Sequence, residues 1–156
     1  MAKILLNPGP TNTGFFTKLR QWLGSDVCHR TDQFQAEMEN LQKKLLYMFD
    51  DSISYPTADV AVMGGSGTTA LDSMISSLLP EGTAIVNAGK YGQRAIEICE
   101  TYNIKHTIIM SNHIGDLQYN ENIKNLYFVE NETTTGEKYS LEEICKIYPN
   151  ANLFID

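Results

Sequence analysis

Gly64-Gly65-Ser66-Gly67-Thr68-Thr69 is the stretch on which the reading of this chain turns. An apolar run over 60–63 precedes it and a helical-looking run over 70–79 follows. This order predicts strand, glycine turn and helix, the local build of an anion site. The first amides of a helix have no partners within it, and the helix dipole places partial positive charge there. Glycines let an anion approach the backbone closely. Ser66, Thr68 and Thr69 add hydroxyl donors.

Outward from the turn, strand-like runs over 83–87, 107–110, 126–130 and 152–156 alternate with helical stretches over 69–79, 91–102 and 140–148. The alternation predicts an α/β fold, a mostly parallel sheet with helices on both faces. Ligands of such sheets sit outside the carboxyl ends of strands. The glycine turn, the segment 88–91, the segment 131–135 and Asp156 are all expected there. Upstream, 4–6 reads as a short strand or arm ended by Asn7-Pro8-Gly9-Pro10, and 15–23 as a short helix. A longer helix is expected over 33–49, with Phe34, Met38, Leu41, Leu45 and Met48 on one face and Asp32 as its N-cap. The expected organisation is an N-terminal arm with helices over 1–50 and a sheet-bearing domain over 51–156.

Of the 156 residues 42% are hydrophobic and 20% charged, so a buried core is expected. The formal net charge of −7 argues against nucleic acid or an anionic membrane as partner. Any phosphate must therefore be held locally, by amides and hydroxyls. Cys28, Cys99 and Cys145 show neither CxxC nor metal-ligand spacing and read as reduced thiols of a cytoplasmic protein. The apolar N-terminal run is too short for a signal sequence, and no run is long enough to span a bilayer.

Gly65-x-Gly67-x-x-Ala70 matches the dinucleotide fingerprint, which calls for an acid at the end of the next strand. That strand ends at Asn87, so a nicotinamide-dependent oxidoreductase is the weaker reading. A P-loop is excluded because no lysine follows the glycines. A purely structural turn stays open. Tyr91 can stack on a planar ligand or simply pack at a helix start, and Lys90 and Arg94 can pair with surface acids. Thr133 can donate to a phenolate or carbonyl oxygen, or belong to an ordinary turn. Opposite a pyridine nitrogen, Asp156 would keep the ring protonated and electron-withdrawing. Cys28-His29 could form a nucleophile–base pair, but adjacent residues seldom face each other productively.

The ordered set of segments resembles the class V, fold-type-I aminotransferases that use pyridoxal 5′-phosphate, and within them the 2-aminoethylphosphonate–pyruvate branch. The matching stretches are 5–11, 26–30, Gly65-Ser66-Gly67-Thr68, 89–94, Glu132-Thr133-Thr134-Thr135-Gly136 and Leu153-Phe154-Ile155-Asp156. The resemblance implies that Ser66, Gly67 and Thr68 hold the cofactor phosphate and that Tyr91 stacks on its ring. It implies Thr133 near the phenolic oxygen, Asp156 on the protonated ring nitrogen, and Gly9 near the substrate. It also implies an amino donor, a 2-oxo acid acceptor and a homodimer. The family's Schiff-base lysine lies beyond the ring-nitrogen aspartate, so no catalytic residue is assigned. The small C-terminal domain is expected to be absent, leaving an incomplete cofactor-binding domain over 51–156. The chain is thus expected to be the front part of such an enzyme, unable alone to transaminate by the usual route. A non-catalytic truncated or split product is the alternative, and the isolated chain is expected to be poorly soluble or self-associating.

Overall fold

The computed structural model describes residues 12–50 and 58–156. The chain divides into two compact units after Gly64. In the first, α1 spans Phe15–Leu23 and α2 spans Asp32–Asp50. Phe34, Met38 and Leu45 are half-buried, following the expected stripe, whereas Leu41 and Met48 are exposed. The cap of α2 is Thr31 rather than the expected Asp32. The Thr31 hydroxyl accepts from the Phe34 amide, and the Thr31 carbonyl accepts from Gln35. Asp32 instead lies in the first turn, where its charge suits the helix dipole.

The run over 60–63 is not the expected strand. It has no ladder partners among the described residues, and Val62 and Met63 are exposed. The Val60 carbonyl accepts from Gln42 Nε2 at 2.8 Å, and the Val60 amide donates to its neighbour Asp59 at 2.7 Å. An apolar run becomes a strand only when a neighbour takes up its amides and carbonyls. The expected strand over 4–6 lies outside the described residues.

The second unit is the α/β body. Helix α3 (Gly67–Leu78) leads into β1 (Thr83–Asn87), then α4 (Lys90–Thr101) and β2 (His106–Met110). Strand β3 (Asn125–Phe128) follows, then the hairpin β4 (Asn131–Glu132) and β5 (Glu137–Lys138), α5 (Leu141–Ile147) and β6 (Asn152–Ile155). The main sheet has the order β2-β1-β3-β6, and every pair is parallel. The hairpin was not expected. Gly136 closes its turn with φ +82°, a conformation that favours glycine, and its amide bonds the Glu132 carbonyl at 2.8 Å.

Both sheet faces are covered, as the alternation predicted. On one, Ile85, Tyr127 and Val129 pack with Leu71 and Ile75 of α3 and Ala95, Ile96 and Cys99 of α4. On the other, Val86, Leu126 and Phe128 pack with Tyr139, Ile144 and Tyr148. The split follows from strand alternation, in which successive side chains take opposite faces.

Candidate functional site

The start of α4 and the end of β6 lie at the carboxyl edge of the sheet, and the length of α3 directs its start to the same edge. Helix α4 begins just past the end of β1, and Gly92 is pressed against it. A Cβ on Gly92 would lie 2.8 Å from the Val86 carbonyl oxygen. Helix α3 reaches β1 through the short connection Leu79–Gly82, so its last turn lies near the start of β1. Twelve helical residues span about 18 Å, and five strand residues about 17 Å. Running back along the strand it covers, α3 brings its first turn to the same carboxyl edge.

That first turn is self-capped. Ser66 Oγ accepts from the Thr69 amide, and Thr69 Oγ1 accepts from the Ser66 amide, both at 3.3 Å. The cap is the reason for Gly65: a Cβ there would meet Thr69 Oγ1 at 2.6 Å. Gly67 is different, since a Cβ there would touch nothing within 4 Å. Residues 64–70 are all exposed, so the amides of Gly67 and Thr68 open outward from the helix end. When the Thr69 hydroxyl donates across the cap, the Ser66 hydroxyl hydrogen is left for a ligand.

Asp156 continues the ladder past β6. Its amide donates to the Phe128 carbonyl at 3.1 Å and its carbonyl accepts from Glu130 at 2.9 Å. Register and alternation put it in one row with Val129 and Phe154, on the face covered by α3 and α4. The residue is exposed, yet its carboxyl is partly withdrawn from water. Desolvation and the nearby Glu132 charge push its pKa up, against the Tyr127 hydroxyl. Tyr127 is fully buried, and its hydroxyl makes no geometrically good hydrogen bond. Burial, then the Asp156 and Glu132 carboxylates, push that phenol far up.

The start of α4 has no local cap, because its N-cap residue is Gly89. The anion arrives from the hairpin. Glu132, fully buried, accepts from the amides of Tyr91 at 3.0 Å and Gly92 at 3.4 Å through Oε2. Its Oε1 accepts from the amide and hydroxyl of Thr134, and Thr134 Oγ1 accepts from the Lys90 amide at 3.1 Å. Gly89 leaves room for this junction: a Cβ there would lie 2.6 Å from Glu132 Cγ and Cδ and from Thr134 Oγ1.

The expected residues therefore gather only in part through direct contacts. Tyr91 and the turn bearing Thr133 are joined through Glu132, and Asp156 is an electrostatic neighbour of Glu132 and Tyr127. Ser66, Gly67 and Thr68 reach the same edge at the head of α3. Gly9 lies outside the described residues. Two further groups belong to this edge, Glu132 and Tyr127. Glu132 stands in the quoted Glu-Thr-Thr-Thr-Gly stretch, but its burial comes from a contact 40 residues away. Arg94 pairs with Glu97 at 3.2 Å, both exposed, so it fits the surface reading. His29 Nε2 accepts from its neighbour Arg30, and no Cys28–His29 side-chain bond is present among the described residues. The end of β1 carries Asn87, bonded to Gln93, where a dinucleotide site needs an acid.

No protein-family model matches the chain. Its sequence is 28% identical over 156 aligned residues to 2-aminoethylphosphonate–pyruvate transaminase of Bacillus cytotoxicus, covering 92% of this chain and 41% of that protein. It is 27% identical to an uncharacterized aminotransferase of Methanocaldococcus jannaschii, over 94% of this chain and 40% of that one. The fold matches alanine–glyoxylate aminotransferase from Nostoc sp. with a TM-score of 0.77 at 23% identity, over all of this chain and 43% of the other. The chain thus spans about two-fifths of the length of these proteins. Among the described residues no helix is long and apolar enough to cross a membrane. In sequence and in fold the chain is thus similar to the N-terminal part of aminotransferases.

Proposed function

We propose that this chain supplies the phosphate- and ring-binding edge of a pyridoxal 5′-phosphate aminotransferase. The observation that carries the reading is the pair of unlike groups at one sheet edge: an open helix start on α3 and the Asp156 carboxyl just past β6. A ligand with an anion at one end and a protonated ring nitrogen at the other fits that pair. The residues present also fit the group in detail. The amides of Gly67 and Thr68 and the hydroxyls of Ser66 and Thr68 would hold the phosphate. The ring of Tyr91, 43% exposed, is free to stack on a planar ring. Thr133 would donate to the phenolic oxygen. Asp156, whose pKa is raised by desolvation, gains a cationic partner and holds a proton at the ring nitrogen. When bound, the cofactor supplies an electron sink for a carbanion at the substrate carbon.

The reaction proposed is transfer of an amino group from 2-aminoethylphosphonate or a related amine to pyruvate or another 2-oxo acid. The substrate pairing is supported by the name of the Bacillus relative. Gly9 is proposed to lie beside the substrate, and a cytoplasmic homodimer is proposed as the working form. Free pyridoxal phosphate is achiral, so an induced circular-dichroism band on adding it reports a bound, oriented ring. The band is expected with the wild-type protein and is expected to vanish with Asp156→Ala. Absence of any band, or an undiminished band in the variant, would overturn the reading.

A further inference from the structure

We infer that Glu132 is the positioning residue of this site, fixing the backbone that carries Tyr91 in register with the turn that carries Thr133. The inference rests on the cofactor reading above. A helix start is ordinarily capped by a residue next to it in sequence. Here Gly89 offers no side chain, and the cap comes from another segment of the chain. One carboxylate holds both parts: Oε2 takes the amides of Tyr91 and Gly92, and Oε1 takes the amide and hydroxyl of Thr134. Thr133 lies between the anchor and Thr134 in sequence. The Tyr91 backbone is thus bonded directly to the buried group, and Thr133 is held in the chain between that group and its second partner, Thr134.

The arrangement also decides where an anion binds. The dipole end of α4 already faces an internal carboxylate, which opposes a ligand phosphate there. The open start of α3 has no such carboxylate among its described hydrogen-bond partners. Glu132 thus separates the two roles, with phosphate on α3 and ring on α4.

Glu132→Gln keeps size and an acceptor oxygen but loses the charge. Pyridoxal phosphate and inorganic phosphate are titrated separately into wild type and variant, with induced dichroism followed for the first. The variant is expected to bind pyridoxal phosphate about tenfold more weakly, with a reduced band, since a small misplacement of a positioned group is costly. Its affinity for inorganic phosphate is expected to stay within about twofold, because that anion uses α3 alone. Equal weakening of both ligands would reduce Glu132 to a general stabiliser and overturn the inference, and so would no change in either. If Glu132→Gln fails to fold, Thr134→Val serves: it removes the Oγ1 bridge and leaves the carboxylate. The same pattern is expected, and unchanged pyridoxal phosphate binding would overturn the inference. A wild-type protein that gives no band sinks the cofactor reading itself, whereas a band shared by wild type and variant sinks only the role of Glu132.

Discussion

Helices α3 and α4 start at the same sheet edge and are built in opposite ways. The start of α3 is exposed and capped by its own residues, Ser66 and Thr69, with space in front of Gly67. The start of α4 is closed by Glu132, a buried anion from another element. Both helix ends carry the same partial charge, so dipole alone does not choose a ligand site. What differs is whether the protein has already neutralised it. A helix start with a buried carboxylate is a rigid support, and one left open is a receptor.

Substitutions at the two starts separate these roles. Glu132→Ala should have the largest effect, a loss of about 3 kcal/mol of stability, because it leaves buried amides without an acceptor. Urea unfolding measures this, and a loss below that of an ordinary cap would break the contrast. Gly89→Ala comes next, at about 2 kcal/mol, since the new Cβ overlaps Glu132 and Thr134. The same unfolding curve checks it; full stability would mean that the junction has slack. Ser66→Ala should cost about 1 kcal/mol, the usual value of an N-cap, seen as a small fall in melting temperature.

Gly67→Ala should leave stability unchanged or raise it by less than about 1 kcal/mol, because its Cβ meets only open space. Binding of inorganic phosphate should nonetheless fall, since the methyl group stands before the open amides. A variant as stable as wild type with unchanged phosphate binding would remove α3 as the receptor.

The smallest effect is a pH dependence. Asp156 has a raised folded pKa, chiefly from desolvation. Its contribution to stability is therefore present below the unfolded carboxylate pKa and is lost as pH rises through the folded value. Asp156→Asn should become more stable relative to wild type across that window, even as it loses the ring-nitrogen partner. Melting of the two proteins through the acid range shows the sign, and a difference flat with pH would contradict it.

Much of the architecture was legible because period and punctuation are local. The helix at 15–23 and the strand at 83–87 stand where apolar pattern and turn residues put them. The parallel sheet followed from alternation. The run over 60–63 looked like a strand for the same local reason, yet it has no ladder partner among the described residues. Thr31 displaced Asp32 as a cap because both residues are competent and only the backbone path chooses between them. At the site, the glycine–hydroxyl turn and Asp156 were visible as residue types at strand or helix ends. Glu132 reads in the sequence only as the first residue of a turn, since nothing near it in sequence says that it is buried.

The sequence by itself determined most of the helices and the strands of the main sheet, and that glycines and hydroxyls open α3. Those are properties of short stretches, set by periodicity, capping chemistry and backbone freedom. Only the tertiary structure decided that α3 and α4 start at one edge, that Asp156 shares a face with Tyr127, and that Glu132 closes α4 and leaves α3 open. Each of these depends on strand register or on groups distant in sequence, such as Glu132 and Gly92 at 40 residues. Burial turns such a meeting into a fixed one, because a carboxylate withdrawn from water must keep the donors it has found.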